Sequence, residues 1–239
     1  MKRVVLALLA LLVTAADASC AAAQTVPLPR PRPPDLHAPE PAAPETPQEP
    51  ARDEACLERL KAAGMAFDQA APPAAANAAC VIDTAVRLTA VGIATRPGAV
   101  VRLPDQPILA CRFAERLGGF IGDLAAPLVA GRLAVELTAV RTGPGYECRN
   151  RNRVVTGHLS AHALGLAVDV EAFELANGKV LPVKPDGDER GQAVVAAIRT
   201  AACGWFTTVL GPGSDPAHAE HMHVDIQTHG SGERYRICQ

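Results

Sequence analysis

Ser160-Ala161-His162-Ala163-Leu164-Gly165-Leu166-Ala167-Val168-Asp169 and, further on, His218-Ala219-Glu220-His221-Met222-His223-Val224-Asp225 decide how this chain is read. Five of its seven histidines fall between 158 and 223: His158, His162, His218, His221 and His223. Asp169 sits in the apolar run Leu166-Ala167-Val168-Asp169-Val170, which reads as a core strand. A carboxylate inside such a strand is costly to bury unless it is paired or bound to a metal. Gly165 lets the backbone between His162 and that strand turn tightly. In the second block, residues two apart on a strand share a face, so His221 and His223 look the same way. A catalytic zinc takes three protein ligands, usually His and carboxylate, and keeps one position open for water. The two blocks together therefore point to a specific metal site.

The surrounding pattern predicts an α+β domain, with a mainly antiparallel sheet flanked by helices. Short strands are expected over 81–91, 133–139, 167–171, 179–183, 207–210 and 223–227. Helices are expected over 55–64 and 189–202, with an Ala/Pro loop over 68–79. Apolar residues recur at helical spacing through Leu109, Phe113, Leu117, Ile121, Leu124 and Leu128. Gly118-Gly119 and Pro127 interrupt that run, so residues 108–129 form either one long helix or a broken pair.

The chain before this domain divides in two. Lys2 and Arg3, the apolar stretch 4–16 and the small residues up to Ala23 read as an export signal over 1–23. Export to a periplasm is expected. Cys20 after Ala18-Ser19 leaves a lipid anchor open, and an uncleaved signal anchor is the other form of attachment. No segment reaches the roughly 18 apolar residues of a membrane helix, so no span is expected in the mature form. Residues 24–52 are proline-rich and form an extended, disordered linker, a spacer or a ligand for a proline-binding module. The folded domain then occupies 53–239. Without Cys20 the cysteines are Cys56, Cys80, Cys111, Cys148, Cys203 and Cys238. Six cysteines and no close C-x-x-C pair imply a disulfide-stabilised domain, with fifteen pairings open. A net charge of −2 with scattered signs offers no footprint for nucleic acid. The sequence leaves the oligomeric state open.

The order His-x6-Asp, then Glu-x-x-His and His-x-His, resembles the zinc peptidases typified by lysostaphin, the D-Ala-D-Ala peptidases and the hedgehog domain. Ser160 through Asp169 is similar to the peptidase block Ser-x-His-x-x-Gly-x-Ala-x-Asp at every fixed position. More closely, the chain from about 56 to 238 resembles the bacterial extensin-like C-terminal family. The residues that carry this are Tyr146-Glu147-Cys148-Arg149-Asn150, Gly157-His158-Leu159-Ser160-Ala161-His162, Thr208 to Asp215 and Tyr235-Arg236-Ile237-Cys238. The resemblance implies a hedgehog/D-Ala-D-Ala peptidase-like fold with Zn2+ held by His162, Asp169 and His223. It implies Glu220 as general base, His221 beside the metal as oxyanion stabiliser and Arg149 polarising the scissile carbonyl. The activity implied is hydrolysis of amide bonds in the peptide stems or cross-links of peptidoglycan, as a carboxypeptidase or endopeptidase. Two other readings share the ligands: a catalytically silent wall-binding adaptor, and a structural zinc domain with His221 as fourth ligand. Relatives usually carry Gly-Arg-Leu-Ser-Glu-His where this chain has His158 and Ala161, and often Asp where it has Glu220.

Overall fold

The structure of the protein is a computed structural model and describes residues 53–75, 77–230 and 235–239. The expected export signal and proline-rich linker lie outside the described residues. Helix α1 (Glu54–Ala62) begins where the Asp53 side chain accepts from the Cys56 N–H, satisfying one of the donors a helix start leaves free. A four-residue strand β1 (Ala66–Gln69) occupies the start of the stretch expected as loop. Strands β2 (Ala85–Gly92), β3 (Val100–Arg102) and β4 (Ile108–Ala110) follow.

The helical run of Leu109 to Leu128 resolves into one continuous stretch with a change of pitch. Helix α2 (Cys111–Gly119) leads into a π-helical turn (Phe120–Ala125) and then helix α3 (Ala126–Leu133). Pro127 has no N–H to give and its ring crowds the preceding turn, and the wider π turn ahead of it relieves both problems. Ala134 in the left-handed region ends the stretch, so the next strand starts later than the alternation of Leu133 and Val135 predicted. It is β5 (Leu137–Thr142). Strands β6 (Ala167–Leu175) and β7 (Val180–Pro182), helix α4 (Glu189–Ala202), and strands β8 (Thr208–Leu210), β9 (Met222–Asp225) and β10 (Ile237–Cys238) complete the domain.

These strands form one ten-stranded sheet in the order β1-β2-β3-β5-β6-β9-β8-β10, with β4 also on β2 and β7 on β6. The sheet is mixed, which corrects the expectation of a mainly antiparallel one. β3 lies parallel to β5 because the chain crosses through β4 and the whole α2–α3 stretch between them. β10 lies parallel to β8 after β9 has already reversed the direction.

The core is built where helices cover this sheet. Val168, Val224 and Val209 stand in register across β6, β9 and β8, and all are fully buried. Phe113, Phe120 and Phe206 pack ring against ring, with Phe120 and Phe206 centroids 5.1 Å apart. Each such side chain contributes about 1.5–3 kcal/mol by leaving water. The six expected cysteines are all paired: Cys56–Cys111 joins α1 to α2, Cys80–Cys148 pins the loop after β5, and Cys203–Cys238 ties the end of α4 to β10. Among the described residues no helix is long and apolar enough to cross a membrane.

Candidate metal centre

One residue along from the buried valines, the opposite face of the same three strands carries Asp169, His223 and Leu210 in register. Asp169 and His223 are thus directly opposed neighbours. His162 reaches them from the 3-10 turn Ala161–Leu164, which enters β6 through Gly165. Gly165 has φ +64, and a Cβ there would meet the Ala110 nitrogen at 2.7 Å, so only glycine makes this turn against β4.

The hydrogen bonds decide which atoms face inward. His162 donates from Nδ1 to the Gly145 carbonyl at 2.7 Å, leaving Nε2 as its lone-pair atom. Gly145 is itself held at φ +77 against Ile108. His223 donates from Nε2 to Asp225 at 3.1 Å, leaving Nδ1 facing the centre. His223 Nδ1 is 2.9 Å from Asp169 Oδ1 and 3.1 Å from His162 Nε2, and His162 Nε2 is 3.3 Å from the same oxygen. Three lone-pair atoms this close repel one another unless a cation lies between them, either a proton or a metal ion. Among the described residues, His162, Asp169 and His223 form the one group of three that could hold a metal ion.

The ionisation of these groups follows from the same contacts. Burial alone would raise the Asp169 carboxyl, but its contacts with His162 and His223 outweigh that and hold it far below the usual carboxylate range. Burial alone would lower His223, but Asp169 and Asp225 on either side push it up to about 9. A folded-state value above the ordinary 6.5 or so means that charged His223 stabilises the metal-free fold fully below pH 6.5, and that this is lost as pH rises through 9. We expect the chelated protein to lose about 3 kcal/mol between pH 6 and pH 9.5 in urea titrations. The metal-loaded protein should show no such loss, because ligation needs the unprotonated ring. Parallel pH trends in the two forms would remove His223 from the ligand set.

The site opens into a cleft of about 400 Å³ whose walls include Arg149, Arg151, His218 and His221. His221 Nε2 lies 3.5 Å from Asp169 Oδ1, and burial lowers its pKa despite the Asp169 charge, leaving a neutral ring beside the centre. Arg149 Nη2 is 4.0 Å from Asp169 Oδ2, with Nε braced on Glu147 at 2.9 Å. Burial raises the Glu147 carboxyl, but Arg153 and Arg149 bring it down below its ordinary value. The structure therefore brings five of the six expected residues together. Glu220 stands apart: it is exposed, does not line the cleft and forms no hydrogen bond or ion pair with a described residue.

Two features escaped the sequence reading. His218 is buried, with Nδ1 2.8 Å from both oxygens of Asp215, and its ring lies edge-on to His221 and His223 at 5.3 and 5.6 Å. Asp215-Pro216 was the available signal. Asp215 caps the 3-10 turn Pro216–His218 and so meets the histidine three residues on. Arg151 reaches across to Gln227 at 2.7 Å, and it has no acidic partner among the described residues. It heads a turn in which Asn152 and Arg153 both have positive φ, at 52 and 57.

Comparison with curated proteins and with solved structures finds no match to this chain. One family profile does match, the extensin-like protein C-terminus, over residues 54–239, which takes in the whole sheet, all three disulfides and every residue of the centre, and the chain belongs to that family.

Proposed function

We propose that this protein is a zinc-dependent hydrolase of amide bonds in the peptide stems or cross-links of peptidoglycan, related to the lysostaphin, D-Ala-D-Ala peptidase and hedgehog group. One observation carries this reading: two imidazole lone pairs and a carboxylate oxygen converge at the floor of an open cleft, with no fourth ligand in the group among the described residues. Tetrahedral zinc holds nitrogen and oxygen ligands roughly 2.0–2.2 Å away, hence about 3.3–3.6 Å from one another, so the separations of 2.9–3.3 Å found here need open only slightly to admit it. His162, Asp169 and His223 would hold the ion. When bound, zinc supplies Lewis-acid chemistry, making water nucleophilic near neutral pH and polarising a carbonyl.

The remaining roles belong to the chain's own side chains. Arg149, fixed by Glu147, presents a positive charge to the carbonyl oxygen of a bound amide. Neutral His221 donates a hydrogen bond to the same developing charge. Two residues compete for the proton that must pass from water to the leaving amine. Glu220 matches the base of the related peptidases, and His218, with Nδ1–H donated to Asp215, keeps a basic Nε2 in the cleft wall. The three disulfides are compatible with an exported domain and so with a wall substrate.

The test is the zinc-loaded protein incubated with purified peptidoglycan, with released fragments weighed by mass spectrometry. Shortened or uncross-linked stems are the expected products. His218→Gln and Glu220→Gln, each checked for full zinc content, then identify the base by a loss of turnover of about 10²–10⁴-fold. The exposed position of Glu220 favours the second reading, a silent wall-binding module. An unchanged polymer that nevertheless retains the zinc-loaded protein would establish that reading and overturn the first.

A further inference from the structure

Beside the metal cleft lies a second and larger cavity, of about 620 Å³, that the proposed chemistry does not use. Its walls include Arg112, Arg116, Trp205, Thr228, His229 and Tyr235. His229 belongs to both cavities, and its Nε2 meets the Thr208 hydroxyl at 2.7 Å on the cleft side. The two spaces therefore share a wall.

The chemistry of the cavity is specific. Arg112 and Arg116 lie one turn apart on α2, so their guanidinium groups cover the same face. Both are exposed, and neither has an acidic partner among the described residues, because the nearby Glu115 is taken by Arg59 at 2.8 Å. Two uncompensated guanidinium groups on one wall are a receptor for a carboxylate, which they grip through paired N–H donors. The one carboxylate in the described lining is that same Glu115, held by Arg59; Arg236 adds a third guanidinium, and apolar faces are present as well. Trp205, the single tryptophan of a chain with 3% aromatic residues, is set edge-on to Phe120 with centroids 6.2 Å apart. It lies so close over Gly119 that a Cβ there would meet its ring at 2.9 Å. That packing fixes the ring, and its remaining surface faces the cavity. Tyr235 is 66% exposed and stands edge-on to His229, with centroids 6.3 Å apart. Rigid aromatic faces flanked by Thr228 and His229 as hydrogen-bonding partners suit a sugar ring, which is apolar on its faces and hydroxylated at its rim. A nucleic acid would also stack and pair with arginine, but the chain as a whole has a net charge of −2.

We propose that this cavity is a subsite for the sugar-bearing, acidic end of the substrate: a sugar ring against Trp205 and Tyr235, and a stem carboxylate on Arg112 and Arg116. The inference rests on the reading of peptidoglycan as substrate and gives it a direction, with the glycan in this cavity and the scissile bond in the metal cleft. The enzyme is then selective for stems still joined to their glycan over free peptides.

The test compares a disaccharide-peptide fragment with the same peptide lacking the sugars, using the zinc-loaded protein. Tyr235→Ala changes an exposed side chain that meets only the sugar, so zinc content and cleavage of the sugar-free peptide should stay as in the wild type, whereas Arg112→Gln/Arg116→Gln should keep its zinc but raise KM on both substrates. KM for the disaccharide-peptide should rise at least tenfold, and amidating the stem carboxylates should abolish the effect of the arginine pair. Equal KM values in variant and wild type on both substrates would overturn the proposal. If the wild type cleaves neither substrate, the hydrolase reading fails on its own. Calorimetric titration of the disaccharide-peptide then judges the subsite: binding lost in the arginine variant sustains it, and binding unchanged or absent overturns it.

Discussion

Asp169→Ala should abolish zinc retention and, with it, the response of the protein to chelators. Asp169 Oδ1 is the one atom that contacts His162, His221 and His223 together, at 3.3, 3.5 and 2.9 Å. Without it, two imidazole nitrogens remain 3.1 Å apart with no anion to balance a cation between them. An ion that binds only the folded state stabilises it by about 4 kcal/mol when free zinc stands a thousandfold above its Kd. In a domain of this size that corresponds to a melting shift of roughly 8–16 °C. The wild type should therefore melt lower by that margin after chelation. Asp169→Ala should melt at one temperature with or without chelator and carry no zinc after dialysis. Stoichiometric zinc in the variant would place the ion elsewhere.

The second large effect is expected from reduction. The three bridges close chain separations of 55, 68 and 35 residues. In the chain-entropy description each stabilises the fold by about 4 kcal/mol, chiefly by restricting the unfolded state. Their sum rivals the roughly 5–15 kcal/mol that a whole domain keeps as net stability. With dithiothreitol the domain should lose its cooperative urea transition, and Cys56→Ser/Cys111→Ser alone should lower the midpoint markedly. A reduced protein that still unfolds cooperatively near the oxidised midpoint would show that its scarce aromatic core suffices without the bridges.

How far the sequence could be read depended on how local each cause was. Glu189–Ala202 was legible because Asp188 caps it, accepting from the Gly191 N–H, and Val194, Val195 and Ile198 mark one face. The meeting of His162 with Asp169 was legible because His162, Gly165 and Asp169 lie within one turn and one strand. The six bonded cysteines could be counted, but their partners are set by the tertiary fold. Ile108–Ala110 was read as helix because Leu109 falls in step with Phe113 and Leu117, yet its backbone is claimed by β2 through pairing of Val86 with Leu109. Strands as short as Val100–Arg102 and Ile237–Cys238 have no periodicity of their own and exist only because neighbours hold them. The parallel pairs that make the sheet mixed are long-range for the same reason. Within the site, the resemblance pointed to Glu220, which stands exposed, while strand spacing held no signal for the burial of His218. The turn that carries His218 is shaped by Asp215 and Pro216, not by strand alternation.

Asp169 facing His223 across two antiparallel strands also makes the centre a matter of reading frame. One residue inserted ahead of His223 in β9 would swing the imidazole to the valine side and bring an aliphatic side chain to the centre. A two-residue deletion would restore the faces but set Asp225 against Asp169, two carboxylates where a base and an acid now meet. The centre is thus tolerant of exchange among its apolar neighbours and intolerant of any change in the spacing between Met222 and Asp225.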